Sequence, residues 1–182
     1  MKKQKKQFLF IIVILILFVA GYLIAGNLPD EEETVIGTES HNVTSIVQEN
    51  VTEISYMYED DIVELIKEED VWKSKEDKSL SLDQSVISTM LSYICSITTD
   101  TVIENPNDVR DYGLINPANT ITLTLEDNSS VQLLIGDYLE LTGQYYAQLS
   151  GDPNVYMISS YIPSYFNKSV DMLIITEETS VE

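Results

Sequence analysis

Cysteine, histidine and tryptophan each occur once in this chain of 182 residues. Glycine occurs seven times, and ten basic residues stand against thirty acidic ones. Each scarcity removes a class of chemistry. A lone cysteine, Cys95, excludes an intramolecular disulfide. It lies in "MLSYICSI", an apolar setting in which a free cysteine behaves as a small hydrophobe. A catalytic thiol would need a base to generate thiolate, and the one histidine, His41, sits far away in a polar stretch. Zinc would find no Cys and His ligand set, and a calcium loop would need alternating oxygen ligands with a glycine in register. No catalytic, cofactor-binding or metal-ligating residue is therefore expected.

The scarcity of glycine bears on the most patterned segment, "DYGLINPANTITLTLEDNSSVQLLIGD", from Asp111 to Asp137. A phosphate-cradling loop needs several glycines opening a helix, usually with a lysine for the anion. Gly136-Asp137 offers one glycine, an adjacent aspartate and no lysine, within a β pattern. The segment reads as a hairpin, with Ile121, Leu123 and Leu125 facing inward opposite Val131, Leu133 and Ile135. Gly136-Asp137 is expected to end the second strand and begin a loop.

Positive charge is scarce and lopsided. Lys2, Lys3, Lys5 and Lys6 precede every acidic residue; from Asp30 onward six basic residues face thirty acidic ones. Such a surface repels phosphate backbones and anionic headgroups, which argues against nucleic acid as a partner, and attracts cations or basic surfaces.

What is present begins with an uncharged apolar run, Phe8 to Gly26, behind the four lysines. Nineteen residues at about 1.5 Å each span roughly 28 Å, close to the hydrocarbon thickness of a bilayer. The run is longer than a signal-peptide core, and no small-residue cleavage site follows, so it reads as an uncleaved anchor. Lysines before it and acids after it place the amino terminus in the cytoplasm. The expected organisation is a basic cytoplasmic end (1–7), a transmembrane anchor (8–26), an acidic flexible linker (27–42), an extracytoplasmic domain (43–175) and an acidic tail (176–182). Four matches to the N-glycosylation pattern, at Asn42, Asn50, Asn128 and Asn167, arise readily by chance in a chain this rich in Asn, Ser and Thr.

Within the domain, "VTEISYMY", "IVELIK" and "EEDVWKS" alternate with period two and read as strands. Leu82, Val86, Met90, Tyr93, Ile94 and Ile97 fall at helical spacing, giving one amphipathic helix between Leu80 and Thr98 with Ser81 or Asp83 as its N-cap. "TDTVIENP" reads as a short strand, and "NDVRDYGL" as one helical turn ended by Gly113. "GQYYAQL" and "NVYMIS" are strands joined by the turn "SGDPN". A short helix follows, with Pro163 near its start. The expected fold is α+β: an N-terminal transmembrane helix, then a mainly antiparallel sheet with one long and one short helix packed on it.

Trp72 after a hairpin, a helix, Tyr112-Gly113-Leu114 with nearby Pro117, then "ITLTLEDNSSVQLLIGD", "YYAQL" and "VYMIS", together resemble the bacterial family called domain of unknown function 4340. The resemblance runs from about Val51 to Leu173 and includes one copy of the pattern. It implies a single-span, membrane-anchored protein associated with ABC-transporter components, and it supplies no catalytic residues.

Eleven tyrosines remain. Tyrosine suits sheet packing, protein interfaces and glycan stacking alike; packing accounts for most, and the "QYYAQ" pair, Tyr145 and Tyr146, is the expected interface. The function expected is a non-enzymatic, membrane-tethered extracytoplasmic binding or scaffold domain, accessory to an envelope or ABC-transporter-type complex. The alternatives are a cell-surface glycan or cell-wall binding module and, behind it, a carboxylate-based hydrolase, which would need a paired, buried acid.

Overall fold

The computed structural model describes residues 40–175. The expected basic end, anchor, most of the linker and the tail lie outside these residues. Among the described residues, no helix is long and apolar enough to cross a membrane.

Among the described residues, ten strands and two α-helices follow in chain order. The strands are β1 (His41–Asn42), β2 (Val51–Tyr58), β3 (Asp61–Glu68), β4 (Val71–Ser74), β5 (Thr98–Thr99), β6 (Val102–Ile103), β7 (Asn119–Leu125), β8 (Ser130–Leu139), β9 (Gln144–Leu149) and β10 (Val155–Ser159). The helices are α1 (Gln84–Cys95), between β4 and β5, and α2 (Tyr161–Tyr165), after β10. Eight strands form one antiparallel sheet in the order β4-β3-β2-β7-β8-β9-β10-β6, while β1 pairs with β5 separately. The domain is α+β, as the alternating and helical patterns predict.

Alternation explains the strands. Ile54, Tyr56, Val63, Leu65, Ile121, Leu123, Leu133, Ile135 and Ile158 bury one face of the sheet. Against it pack α1, α2 and the turn Val170–Leu173, through Ile87, Met90, Leu91, Ile94, Ile162, Phe166 and Leu173. Removing each such side chain from water contributes about 1.5–3 kcal/mol. Tyr56 meets Phe166 edge to face, with centroids 5.4 Å apart, and its hydroxyl donates to the Lys168 carbonyl at 3.0 Å. Leu125 and Val131, expected inward, lie at the hairpin end and are only half buried. The turn there is closed by Asp127, whose carboxylate accepts from the Ser129 N–H.

The helix is shorter than expected and turned on its axis. Asp83 is the N-cap, accepting from the N–H groups of Ser85 and Val86. The buried stripe runs through Ile87, Met90, Leu91, Ile94 and Cys95, whereas Tyr93 is exposed and Val86 half buried. Ile97 and Leu82 are buried too, but beyond the helix ends. They mimic helical spacing while reaching the core from extended backbone.

The carboxyl end of α1 is capped from a distance. The Thr44 hydroxyl donates to the Ile94 carbonyl at 2.7 Å and accepts from the Ile97 N–H at 2.8 Å, while the Ile46 N–H donates to the Cys95 carbonyl. These bonds satisfy groups that a helix end leaves orphaned. Backbone pairing begins at His41, two residues before the expected start of the domain, because β1 needs β5 as its partner.

The outer strand β4, and the part of β10 that runs beyond the short outer strand β6, are covered. On β4 the Gln84 side chain accepts from the Trp72 N–H at 2.8 Å and donates to the Trp72 carbonyl at 3.0 Å, imitating a neighbouring strand. On β10, beyond the two residues paired with β6, the Met157 N–H donates to the Thr101 carbonyl. The Thr99 hydroxyl donates to the Met157 carbonyl at 2.6 Å. An open strand edge invites pairing with another chain; these two are occupied.

Candidate functional site

The residues weighed in the sequence fall into structural roles. Cys95 is buried, and burial together with the Glu49 charge pushes its thiol up to about 11, away from thiolate. His41 lies in β1 and is exposed. The acidic run Glu59–Asp61 turns the chain between β2 and β3, and Glu68–Asp70 turns it between β3 and β4. Glu69 and Asp70 both take positive φ there (50° and 63°), the form that matches hairpin twist. Lys67, Lys73, Lys75 and Lys78 pair with Asp70, Glu68, Glu64 and Glu68 around this hairpin. Among the described residues, no group of three His, Cys, Asp or Glu side chains could hold a metal ion.

Gly136-Asp137 does not end its strand. β8 continues through it to Leu139, with a bulge between Ile135 and Tyr138. Two interlocked glycines explain the bulge. Gly136 lies against the Tyr112 backbone, where a Cβ would collide with the Tyr112 carbonyl oxygen. Gly113, at φ +69°, lies against Asp137, whose carboxylate and N–H occupy the place of a Cβ. The "YGL" turn and the "IGD" strand are thus shaped to each other. Their contact buries Leu114, and the Tyr112 ring packs edge to face on Tyr146, 4.8 Å between centroids.

The bulge re-aims a side chain. Ile135 stands opposite Ala147, and Tyr138 opposite Tyr145. One residue lies between the partners on β9 but two on β8, so Tyr138 comes to the same sheet face as Ile135. Without the extra residue, Asp137 would hold that position. Tyr138 and Tyr145 then touch, with centroids 4.8 Å apart and rings tilted by 46°.

These two tyrosines form one wall of a cleft of about 570 Å³ between the end of the sheet and α2. The other wall is Ser160, Tyr161, Pro163 and Ser164 of α2 and its cap, with Asn119, Ala118 and Asn167 at its base. The size lies in the range of small-ligand and side-chain sites. No charged residue lines it. Tyr138 and Tyr161 are 49% and 68% exposed, so their rings are presented to solvent. Beyond α2 the aromatic surface continues as a stack of Tyr165 on Tyr93, 4.6 Å apart at 19°.

Several polar groups of the cleft are already engaged. The Asn119 amide accepts from the Met57 N–H and donates to the carbonyls of Met57 and Phe166. The Ser164 hydroxyl donates to the Tyr161 carbonyl at 2.6 Å. What is left in the lining is the ring faces and hydroxyls of Tyr138, Tyr145 and Tyr161, the Ser160 hydroxyl and the Asn167 amide.

Of the expected interface pair, Tyr145 lines the cleft and Tyr146 points to the opposite face, since neighbours on a strand alternate. Tyr138 and Tyr161 carry the exposed rings instead. The signal for Tyr138 was the lone glycine inside a strand pattern, which marks a bulge.

No curated protein and no solved structure matches the chain. The family described as "Domain of unknown function (DUF4340)" matches residues 72–182. The matched segment spans the cleft and both interlocked glycines, and the chain belongs to this family.

Proposed function

We propose that the protein is a non-enzymatic, membrane-tethered extracytoplasmic domain that docks a protein partner, as an accessory part of an envelope or ABC-transporter-type complex. The observation that carries this reading is the tyrosine surface running from the cleft across α2 to α1. Tyr138, Tyr161 and Tyr93 are 49%, 68% and 41% exposed on it. Tyrosine is enriched at the centres of protein interfaces because a large rigid ring buries area at small entropic cost and its hydroxyl finds a partner.

The cover on β4 and on β10 beyond β6 supports side-chain docking over strand addition at those stretches, and the tether rests on the apolar run at 8–26 behind its lysines. Crosslinking of the full-length chain in native membranes, with mass spectrometry of co-purifying chains, tests the reading. A defined envelope or permease chain is expected, with recovery reduced by Tyr161→Ser together with Tyr93→Ser. Recovery of nothing above background overturns it.

A further inference from the structure

We infer that the cleft between β8, β9 and α2 receives the guanidinium or ammonium of a basic side chain from the partner; this rests on the protein-docking reading. Three observations converge on a cation.

The first is charge. The described domain holds twenty-two acidic and six basic residues. Five of those six are paired locally with carboxylates: Arg110 with Asp108, and the four lysines around the β3–β4 hairpin. That hairpin is separated from β8 by β2 and β7, whereas the sixth, Lys168, follows Asn167 of the cleft and stands against the exposed acids nearby. Exposed Asp137 and Glu140 flank Tyr138 in sequence. The surrounding potential concentrates cations and repels anions.

The second is the lining. Rings of Tyr138, Tyr145 and Tyr161 present negative π faces, and a cation over a tyrosine gains more when the site is partly desolvated. No lysine or arginine in the wall opposes it.

The third is hydrogen bonding. The Asn119 amide and the Ser164 proton are spent on backbone carbonyls, while the hydroxyl oxygens of Tyr138, Tyr145 and Tyr161 stay open as acceptors. A donor-rich guanidinium needs only acceptor oxygens and ring faces, which remain.

The test uses the full chain in detergent micelles with ring-labelled tyrosine, followed by NMR. Three probes are titrated: a blocked Gly-Arg-Gly tripeptide, its neutral citrulline counterpart, and maltose. The arginine peptide is expected to shift the Tyr138, Tyr145 and Tyr161 ring resonances saturably, at least tenfold more tightly than the citrulline peptide, and to weaken with added salt. Tyr138→Phe with Tyr161→Phe retains binding, and Tyr138→Leu with Tyr161→Leu abolishes it. Equal affinity for the citrulline peptide, tighter binding of maltose, or unchanged binding in the leucine variant overturns the inference. A crosslinked partner whose capture survives Tyr138→Leu would refute the cleft and leave docking standing. Arginine binding without any captured partner would do the reverse.

Discussion

Gly136 lies beneath the backbone carbonyl of Tyr112, so close that no side chain fits between them. Gly136→Ala is therefore expected to force the "YGL" turn off β8 and lower stability by about 1–3 kcal/mol, the usual cost of overpacking. Because the same contact holds the bulge that aims Tyr138, the variant also loosens the Tyr138–Tyr145 pair. Urea unfolding followed by Trp72 fluorescence gives the first effect and tyrosine ring NMR the second. A wild-type midpoint with unshifted Tyr138 would show that the bulge stands without the interlock.

Gln84 closes the β4 edge with two hydrogen bonds to Trp72. Gln84→Leu keeps the helix and the side-chain volume but leaves that N–H and carbonyl without their partner. The expected loss is about 1–3 kcal/mol. Self-association should follow, because a bare edge templates pairing with another chain. Light scattering across a concentration series reads it. A variant as monomeric and as stable as the parent would show that the edge needs no cover.

Much of the strand layout is legible as period two: β2, β3, β7, β9 and β10 fall within a residue or two of their alternating runs. The sequence hid relations that join distant segments. Nothing local says that β2 pairs with β7, or that Thr44 caps α1 from fifty residues away. The buried face of α1 was misread because Leu82 and Ile97, outside the helix, extend its spacing by coincidence. The cleft was illegible for a similar reason. Its tyrosines come from β8, β9 and α2, and Tyr138 is brought to the cleft face by a bulge whose cause lies in another loop.

Acid stability follows from carboxylates tied to their neighbours. Asp77, Asp83 and Asp127 are held below their ordinary value of 3.8 by the hydroxyl and N–H of Ser79, Ser85 and Ser129, and Asp108 by the Arg110 side chain. A depressed carboxylate stabilises the fold above its ordinary value and stops doing so as pH falls through the depressed one. Excess negative charge acts the other way, since partial protonation relieves self-repulsion. The urea midpoint is thus expected to rise from neutrality toward about pH 5 and to fall below about pH 4. A midpoint that declines steadily from pH 7 would show that repulsion contributes little.

The pairing of β2 with both β3 and β7 has a kinetic consequence. Val51 meets Leu125 only after more than seventy intervening residues have been made. The first three-stranded meander leaves the ribosome with Ile54, Tyr56 and Leu65 uncovered, and it waits for β7 and α1 before its apolar face is shielded. Folding dominated by such long-range closure proceeds on a scale of about milliseconds to seconds. The dense negative charge of the chain then keeps half-made copies apart during that interval.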